Sequence, residues 1–331
     1  MASVTEEHKR TAQRKAAVAV ACVAVFVAAF LGLIMLLDQV SRPAIESEVG
    51  VENAVFVSQD PFYVLLIGSD SRKGTALYTG KANEHGQVDQ HSDILTLMRI
   101  DPDTYTITLV TITRDTVIPG ETAKINDSLL QNNPEDVVES VEKLTGIEVS
   151  DYIMVSFTQF EDLVDALGGV TVDVPKTVTL PDPATGKDVT VKAGKDKKLN
   201  GAQALVLARS RKEYDDYQDA LRQVNVRNIE QALIQKVLNR EDDIDIERVL
   251  TVLEGSTRND MDLVLMGQIM LDFMDHADYV TFYSCTGPFE GDNRKSDGEW
   301  VVPARPTTWN LIMRVVDAGQ DPSDIVEVPK F

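Results

Sequence analysis

The chain has little cysteine, little histidine and a shortage of positive charge. Its two cysteines in 331 residues are Cys22, in an apolar N-terminal stretch, and Cys285, in a distant polar region. A thiol placed in lipid cannot reach the other, so no disulfide framework is expected. The four histidines, His8, His85, His91 and His276, are scattered without zinc-ligand spacing. There is no GxSxG elbow, Walker loop or HExxH helix. A Ser–His–Asp arrangement of Ser69 or Ser71 with His91 finds no support, because a triad is recognised only by geometry. Lys+Arg of 32 against Asp+Glu of 53 leaves a net charge of −21. Nucleic-acid binding needs clustered Lys and Arg, so this balance opposes it, and with it a regulator that touches DNA. It does not oppose a phosphorylated ligand inside one basic pocket. With 19 glycines, 13 prolines and 43% hydrophobic residues, the chain is neither collagen-like nor broadly disordered.

One long hydrophobic run is present. Ala16 to Leu37 carries no charge and matches the roughly 20 apolar residues that cross a hydrocarbon core. Lys9, Arg10, Arg14 and Lys15 precede it and Asp38 follows, which puts the N-terminus in the cytoplasm and the rest outside. A cleaved signal peptide has a core of roughly 7–15 residues and a small-residue cleavage site. The ending Leu-Ile-Met-Leu-Leu-Asp-Gln fits that poorly. The expected organisation is a cytoplasmic tail at 1–15, a single-pass transmembrane helix at 16–37 and a stalk at 38–60. One extracellular domain at 61–331 follows, held at the cell membrane.

From Phe62 the pattern alternates between strand and helix. Phe62–Gly68 is a continuous apolar run, as in a buried strand. Thr75–Gln90 is a polar, Gly-containing loop. Asp93–Ile100 and Tyr105–Thr113 form a hairpin across Asp101-Pro-Asp-Thr104. Glu135–Leu144 is helical, Tyr152–Phe157 a strand, and Thr158–Leu167 a helix closed by Gly168-Gly169. Val170–Val174 is a strand, and Val178–Leu180 faces Val189–Val191 as a second hairpin. Asn200 caps a helix to about Leu207. Longer helices are expected at Gln218–Asn239 and Asp260–His276, with further strand and helix patterns at Tyr279–Ser284 and Trp309–Val316. The fold class is therefore α/β, a mixed sheet covered by helices.

Several residues could carry chemistry. Asp70 follows the first strand and Asp93 opens the next. Ligands sit at such strand ends, and two converging carboxylates suit a hard cation such as Mg²⁺ together with phosphate oxygens. Each also reads as an aspartate bonding its own turn. Arg114, at the end of a strand, can take phosphate oxygens in bidentate fashion, or form an ion pair with Asp115. Arg209 and Arg211 share a side if the helix ahead of them runs out into extended chain, and diverge if it continues. At about 100° per residue, Arg222 lies within about 60° of Val226, Ile229, Leu233 and Val237. It therefore sits on the buried stripe of its helix and needs an anion: Asp219, Glu230 or a ligand phosphate. Arg227 points away from that stripe and is expected to be solvated.

VLLIGSDSR at 64–72, HSDILTLMRID at 91–101, TLVTITRDT at 108–116, KIN at 124–126, LVDALGGVTVDVP at 163–175 and LNGAQALVLARSR at 199–211 occur in order. Together they resemble the LytR–CpsA–Psr family over roughly residues 61–240. The resemblance implies an α/β/α sandwich with an apolar slot for a polyprenyl tail. It implies a magnesium-dependent phosphotransferase that moves a glycopolymer from a polyprenyl pyrophosphate carrier to peptidoglycan at the outer face of the membrane. Carried over by position, Asp70 and Asp93 are the metal-linked carboxylates, and Arg114, Arg209, Arg211 and Arg222 bind pyrophosphate. Asp93 is also placed as the base toward the attacking hydroxyl. The chain departs from the family pattern D-x-x-R-x-x-R-Q. Asp219 and Arg222 match it, but Asn225 and Val226 stand where Arg and Gln are expected. His91 stands where Arg is common, and Asp-Ser-Leu-Leu follows Lys124-Ile-Asn126 in place of a small, Gly-rich run. The departures leave a second reading open, an anchored binder of polyprenyl phosphates or wall polymer that organises other envelope proteins without catalysis.

Overall fold

The structure is a computed structural model that describes residues 60–70, 91–130, 133–214, 217–239, 244–245, 248, 258–259, 269–270 and 272–328. The expected anchor at 16–37, the stalk up to residue 59 and the loop at 75–90 lie outside the described residues. Among the described residues no helix is long and apolar enough to cross a membrane.

Six strands form the central sheet: β1 (Phe62–Ser69), β2 (Ser92–Asp101), β3 (Thr106–Thr111), β4 (Asp151–Ser156), β9 (Arg258–Asn259) and β10 (Thr281–Thr286). Their order is β10-β3-β2-β1-β4-β9. β1 pairs parallel with β4 and β10 parallel with β3; the other pairs are antiparallel. Hence β1, β3, β4 and β10 all end at one edge of the sheet, where β2 begins. The β2–β3 turn forms as its composition predicts, with Asp101 Oδ1 accepting from the Thr104 amide at 3.2 Å. Tyr105 takes a left-handed backbone there (φ 51°), so β3 starts at Thr106.

Alternation along the strands sends side chains to two different cores. Leu65, Ile67, Leu97 and Val110 pack with Val137, Val141 and Leu144 of α1 (Pro134–Thr145) and with Trp309, Ile312 and Val316 of α5 (Pro306–Asp317). Val64, Ile100, Ile107 and Leu109 pack on the other side with Leu238, Ile269 and Phe273. Each fully buried large side chain is worth about 1.5–3 kcal/mol, so helices are held on both faces. A third cluster joins α2 (Phe157–Ala166), α3 (Gly201–Arg209) and α4 (Gln218–Leu238) to two small two-stranded sheets. These are β5 (Val170–Val174) with β8 (Gly194–Leu199), and β6 (Val178–Pro181) with β7 (Asp188–Val191).

Local signals behave as expected at both helix ends that carried them. Gly168 and Gly169 end α2 with φ of 77° and 88°. Asn200 caps α3, accepting from the Gln203 amide at 2.9 Å, while Gln203 returns a bond to the Asn200 amide. Of the helix expected at 260–276, the described residues 269–270 and 272–275 are helical. The motif-free C-terminal part completes the sheet through β10 and one helix layer through α5. Strand β8 was not expected. Lys195–Lys198 are exposed, so no apolar alternation marks it, and only its pairing with β5 makes it a strand.

Candidate functional site

The edge where β1, β3, β4 and β10 end gathers the charged residues. Asp70 follows β1 and accepts the His91 amide on Oδ1 at 2.8 Å, while its own amide donates to the His91 carbonyl at 3.1 Å. The ring of His91 lies 3.8 Å from Asp70 and 3.6 Å from Asp127. Asp93 forms an ion pair with Nη1 of Arg114. The β1–β2 register shifts between Gly68 and Ser69. This close approach requires glycine, because a Cβ at Gly68 would fall 2.8 Å from Ile94 Cβ.

Asp115 is the hub of the cluster. Its carboxylate lies 3.3 Å from Lys124 Nζ, 3.9 Å from Arg114 Nε and 4.0 Å from Arg211 Nη1. Four segments distant in sequence therefore meet: the ends of β2 and β3, the Lys124 turn and the chain after α3. α4 delivers the remaining cation. Arg222, 5% exposed, pairs through Nε with Asp219 Oδ1 at 2.9 Å. Burial alone would push the Asp219 carboxyl up, but Arg222, Gln223 and Arg211 together hold it below the ordinary range. Burial likewise works against the charge on Arg222, and Asp219, Asp93 and Asp115 outweigh it, raising its pKa. Gln223 donates both to Asp219 and to Thr113, the residue before Arg114, and so ties the Arg222–Asp219 pair to the end of β3.

α3 ends at Arg209, and Ser210 is extended (ψ 117°), which is the condition for Arg209 and Arg211 to share a side. Their contacts differ nonetheless. Arg211 meets Asp115, whereas Arg209 stacks over the Phe157 ring at 4.9 Å and donates to the Pro181 carbonyl at 3.1 Å. Phe157 directly follows β4, so Arg209 stands at the same sheet edge, beside the hairpin β6–β7.

The expectation for Arg227 is overturned. It is 6% exposed and donates from Nη1 to Thr111 Oγ1 at 2.7 Å and Thr286 Oγ1 at 2.5 Å. The first turns of α4 are buried on every side, with Ala220, Leu221, Arg222, Gln223, Asn225, Val226 and Arg227 all covered, so the side opposite the apolar stripe is not wet. Burial pulls the Arg227 pKa down to about 10. Gln223, Arg227 and Glu230 form a second, polar stripe at i, i+4 and i+7. It faces threonines of three strands: Gln223 bonds Thr113 at 3.1 Å, and Glu230 accepts from Thr96 at 3.0 Å. Asn225, in the position of the missing arginine, donates to the Tyr214 hydroxyl at 2.8 Å.

Among the described residues no group of three or more His, Cys, Asp or Glu side chains could hold a metal alone. Asp70 and Asp93 offer only oxygen donors from adjacent strand ends. That set fits Mg²⁺ in its usual manner, one or two carboxylates with substrate phosphates completing the shell. The sequence did not single out Asp115, Lys124 or Gln223. Asp115 carried one local signal, the Arg-Asp dipeptide at 114–115, and Lys124 another, the KIN motif at 124–126, but neither signal gave its residue a role in the site.

The chain resembles proteins of known fold and name. TagU of Bacillus subtilis (strain 168), named polyisoprenyl-teichoic acid–peptidoglycan teichoic acid transferase, is 29% identical over 234 residues, 69% of each chain. The crystal structure of B. subtilis TagV superposes with a TM-score of 0.61 at 22% identity, covering 78% of this chain and 97% of that one. TagT bound to LIIa-WTA superposes with a TM-score of 0.59 at 21% identity, covering 79% and 91%. The two structural likenesses are likenesses of fold. The model of the LytR_cpsA_psr family matches residues 38–309, so the chain belongs to the LytR_cpsA_psr family.

Proposed function

We propose that this chain is a membrane-anchored phosphotransferase that moves a glycopolymer from a polyprenyl pyrophosphate carrier to peptidoglycan. The observation that carries the reading is the gathering of Arg114, Arg211 and Arg222 around Asp93, Asp115 and Asp219 at one sheet edge. Such a cluster can neutralise a diphosphate, and charge stabilisation is the main demand of phosphoryl transfer. The names of the curated relatives support the substrate class.

In this reading the acceptor is a sugar hydroxyl of peptidoglycan. Its oxygen bonds to the phosphorus that carries the glycan, and the bridging P–O bond breaks, releasing prenyl phosphate. Asp93 takes the hydroxyl proton. Arg114, Arg211 and Arg222 bind the pyrophosphate, Arg209 reaches it from the β6–β7 side, and the developing charge falls on these guanidiniums. Asp70 and Asp93 would hold Mg²⁺, which when bound supplies further neutralisation of phosphate charge. Residues 16–37 keep the domain at the outer face of the membrane, where the carrier lies.

The test supplies the full chain in detergent with a lipid-pyrophosphate-linked polymer, peptidoglycan and Mg²⁺. Transfer is expected, with a fall of about 10²–10³-fold for Arg114→Ala. No transfer by the wild type, or equal transfer by the variant, sinks catalysis at this site. One observation favours the binding-only reading: Asn225 is engaged with Tyr214 and Val226 is buried in the core, so neither can replace the missing Arg-Gln pair. That reading requires lipid-phosphate binding without turnover, and turnover lost on Asp93→Ala would remove it.

A further inference from the structure

Two aromatic rings stand at the rim of this cluster. Tyr217 is 53% exposed and packs edge-to-face on Phe289, ring centroids 6.0 Å apart at 83°. Both are tied by short connections to the charged groups. Tyr217 is the N-cap of α4, two residues before Asp219, which holds Arg222. Phe289 follows Pro288, whose carbonyl accepts the Thr113 hydroxyl at 3.1 Å, and Thr113 precedes Arg114. One ring is thus attached to the helix that carries Arg222 and the other to the segment that carries Arg114.

The backbone at Tyr217 is also unusual. Its φ of 51° is left-handed, which strains a bulky residue and persists where the surroundings hold it, often at ligand sites. An aromatic side chain half in water gains nothing from that exposure, whereas a glycine or asparagine would relieve the strain. The ring is therefore displayed at a cost, beside a site built for phosphates.

We propose that Tyr217 and Phe289 form a saccharide platform, taking the pyranose ring attached to the bound pyrophosphate. The proposal rests on the reading of the arginine cluster as a pyrophosphate site. In a glycosyl pyrophosphate, the sugar is the group next to the phosphate. A pyranose presents one face of polarised C–H bonds, and the negative face of an aromatic ring attracts such hydrogens. The edge-to-face pair offers one ring face and one ring edge, an L-shaped support for the C–H face of a pyranose chair. The exposed Glu290 carboxylate is paired through Oε2 with Arg305 Nη2 at 3.1 Å, which holds it beside Phe289, where it can accept from sugar hydroxyls.

The test compares two probes with the full chain in detergent, a prenyl pyrophosphate and the same lipid carrying N-acetylglucosamine on the terminal phosphate. Tyr217→Ala with Phe289→Ala is expected to weaken the sugar-bearing probe about five- to tenfold, the scale of one to two aromatic contacts. The sugar-free probe should bind unchanged. Tyr217→Phe should restore affinity for the sugar-bearing probe, and Tyr279→Ala, an exposed tyrosine at the opposite end of β10, should affect neither. An equal loss for both probes, or no loss for either, overturns the platform. If Arg114→Ala weakens both probes in that case, the pyrophosphate site itself stands. If the wild type binds neither probe, the platform and the reading beneath it fall together.

Discussion

The side-chain amide of Gln223 donates to Thr113 Oγ1 at 3.1 Å and, with the same nitrogen, to Asp219 Oδ2 at 2.8 Å. One residue of α4 thus joins the carboxylate that holds Arg222 to the residue before Arg114. This amide ties together the two remote segments that carry Arg222 and Arg114. Gln223→Leu keeps the volume and removes the donors, leaving the partly buried Asp219 carboxylate and the buried Thr113 hydroxyl each one partner short. A loss of about 1–3 kcal/mol is expected in urea unfolding, with weaker binding of a prenyl pyrophosphate. An unchanged midpoint would show that the amide holds nothing.

Glu230 is expected to contribute stability that is lost as pH rises. Burial pushes its carboxyl from 4.5 up to about 8, and the Thr96 hydroxyl, Arg227 and Arg222 only partly oppose this. Between those values the folded state holds a proton that the unfolded state has lost. Stability therefore declines as pH rises from about 4.5 toward 8, by at most about 1.4 kcal/mol per pH unit. Glu230→Gln mimics the protonated acid. It should leave stability at pH 4.5 unchanged and raise it at pH 7.5, which thermal unfolding at the two values measures. A variant no more stable than wild type at pH 7.5 would mean that Glu230 is ionised in the fold.

Arg222 and Arg227 show what the sequence could and could not disclose. The apolar spacing of α4 placed Arg222 on a buried stripe correctly, because such a pattern reports where the core is. It assumes that the opposite side is wet, and α4 violates that assumption in its first turns. Arg227 is covered by threonines of β3 and β10, whose arrival depends on the sheet order. The strands β1 to β3 were legible because each is a continuous or alternating apolar run with turn residues between. β8 was not, since Lys195–Lys198 carry no pattern apart from their partner strand. Asp115 beside Arg114 looked like a local ion pair. Only the approach of Lys124 and Arg211 from other segments makes it a hub.

Gly68 is where the sheet edge closes on the site. A Cβ there would meet Ile94 Cβ at 2.8 Å, and both residues sit on strand backbone. Gly68→Ala must push β1 from β2 just ahead of the bulge that presents Asp70 and Asp93. Overpacking of this kind costs about 1–3 kcal/mol. Transfer should fall further than the stability loss explains, measured at a temperature where the variant remains folded. Full activity in a folded Gly68→Ala protein would show that the strand spacing does not set the site.

Arg222 and Arg211 separate a cation held by the fold from one held for a ligand. The Arg222 side chain is 6% exposed against Asp219, whereas that of Arg211 is 36% exposed and 4.0 Å from Asp115. Arg222→Met leaves the partly buried Asp219 carboxylate with only Gln223 as a hydrogen-bond partner and should cost about 1–3 kcal/mol. Asp219→Asn added to it should recover part of that loss, since the uncompensated charge is then gone. Arg211→Ala removes a loose, hydrated ion pair and should change stability by less than about 1 kcal/mol. Both single variants should weaken a prenyl pyrophosphate, because a diphosphate drawn into the cluster meets both guanidiniums. Urea midpoints and binding isotherms on the same preparations give the two readouts. If Arg211→Ala binds the probe as tightly as wild type, Arg211 serves only Asp115, and the ligand site contracts to Arg114 and Arg222.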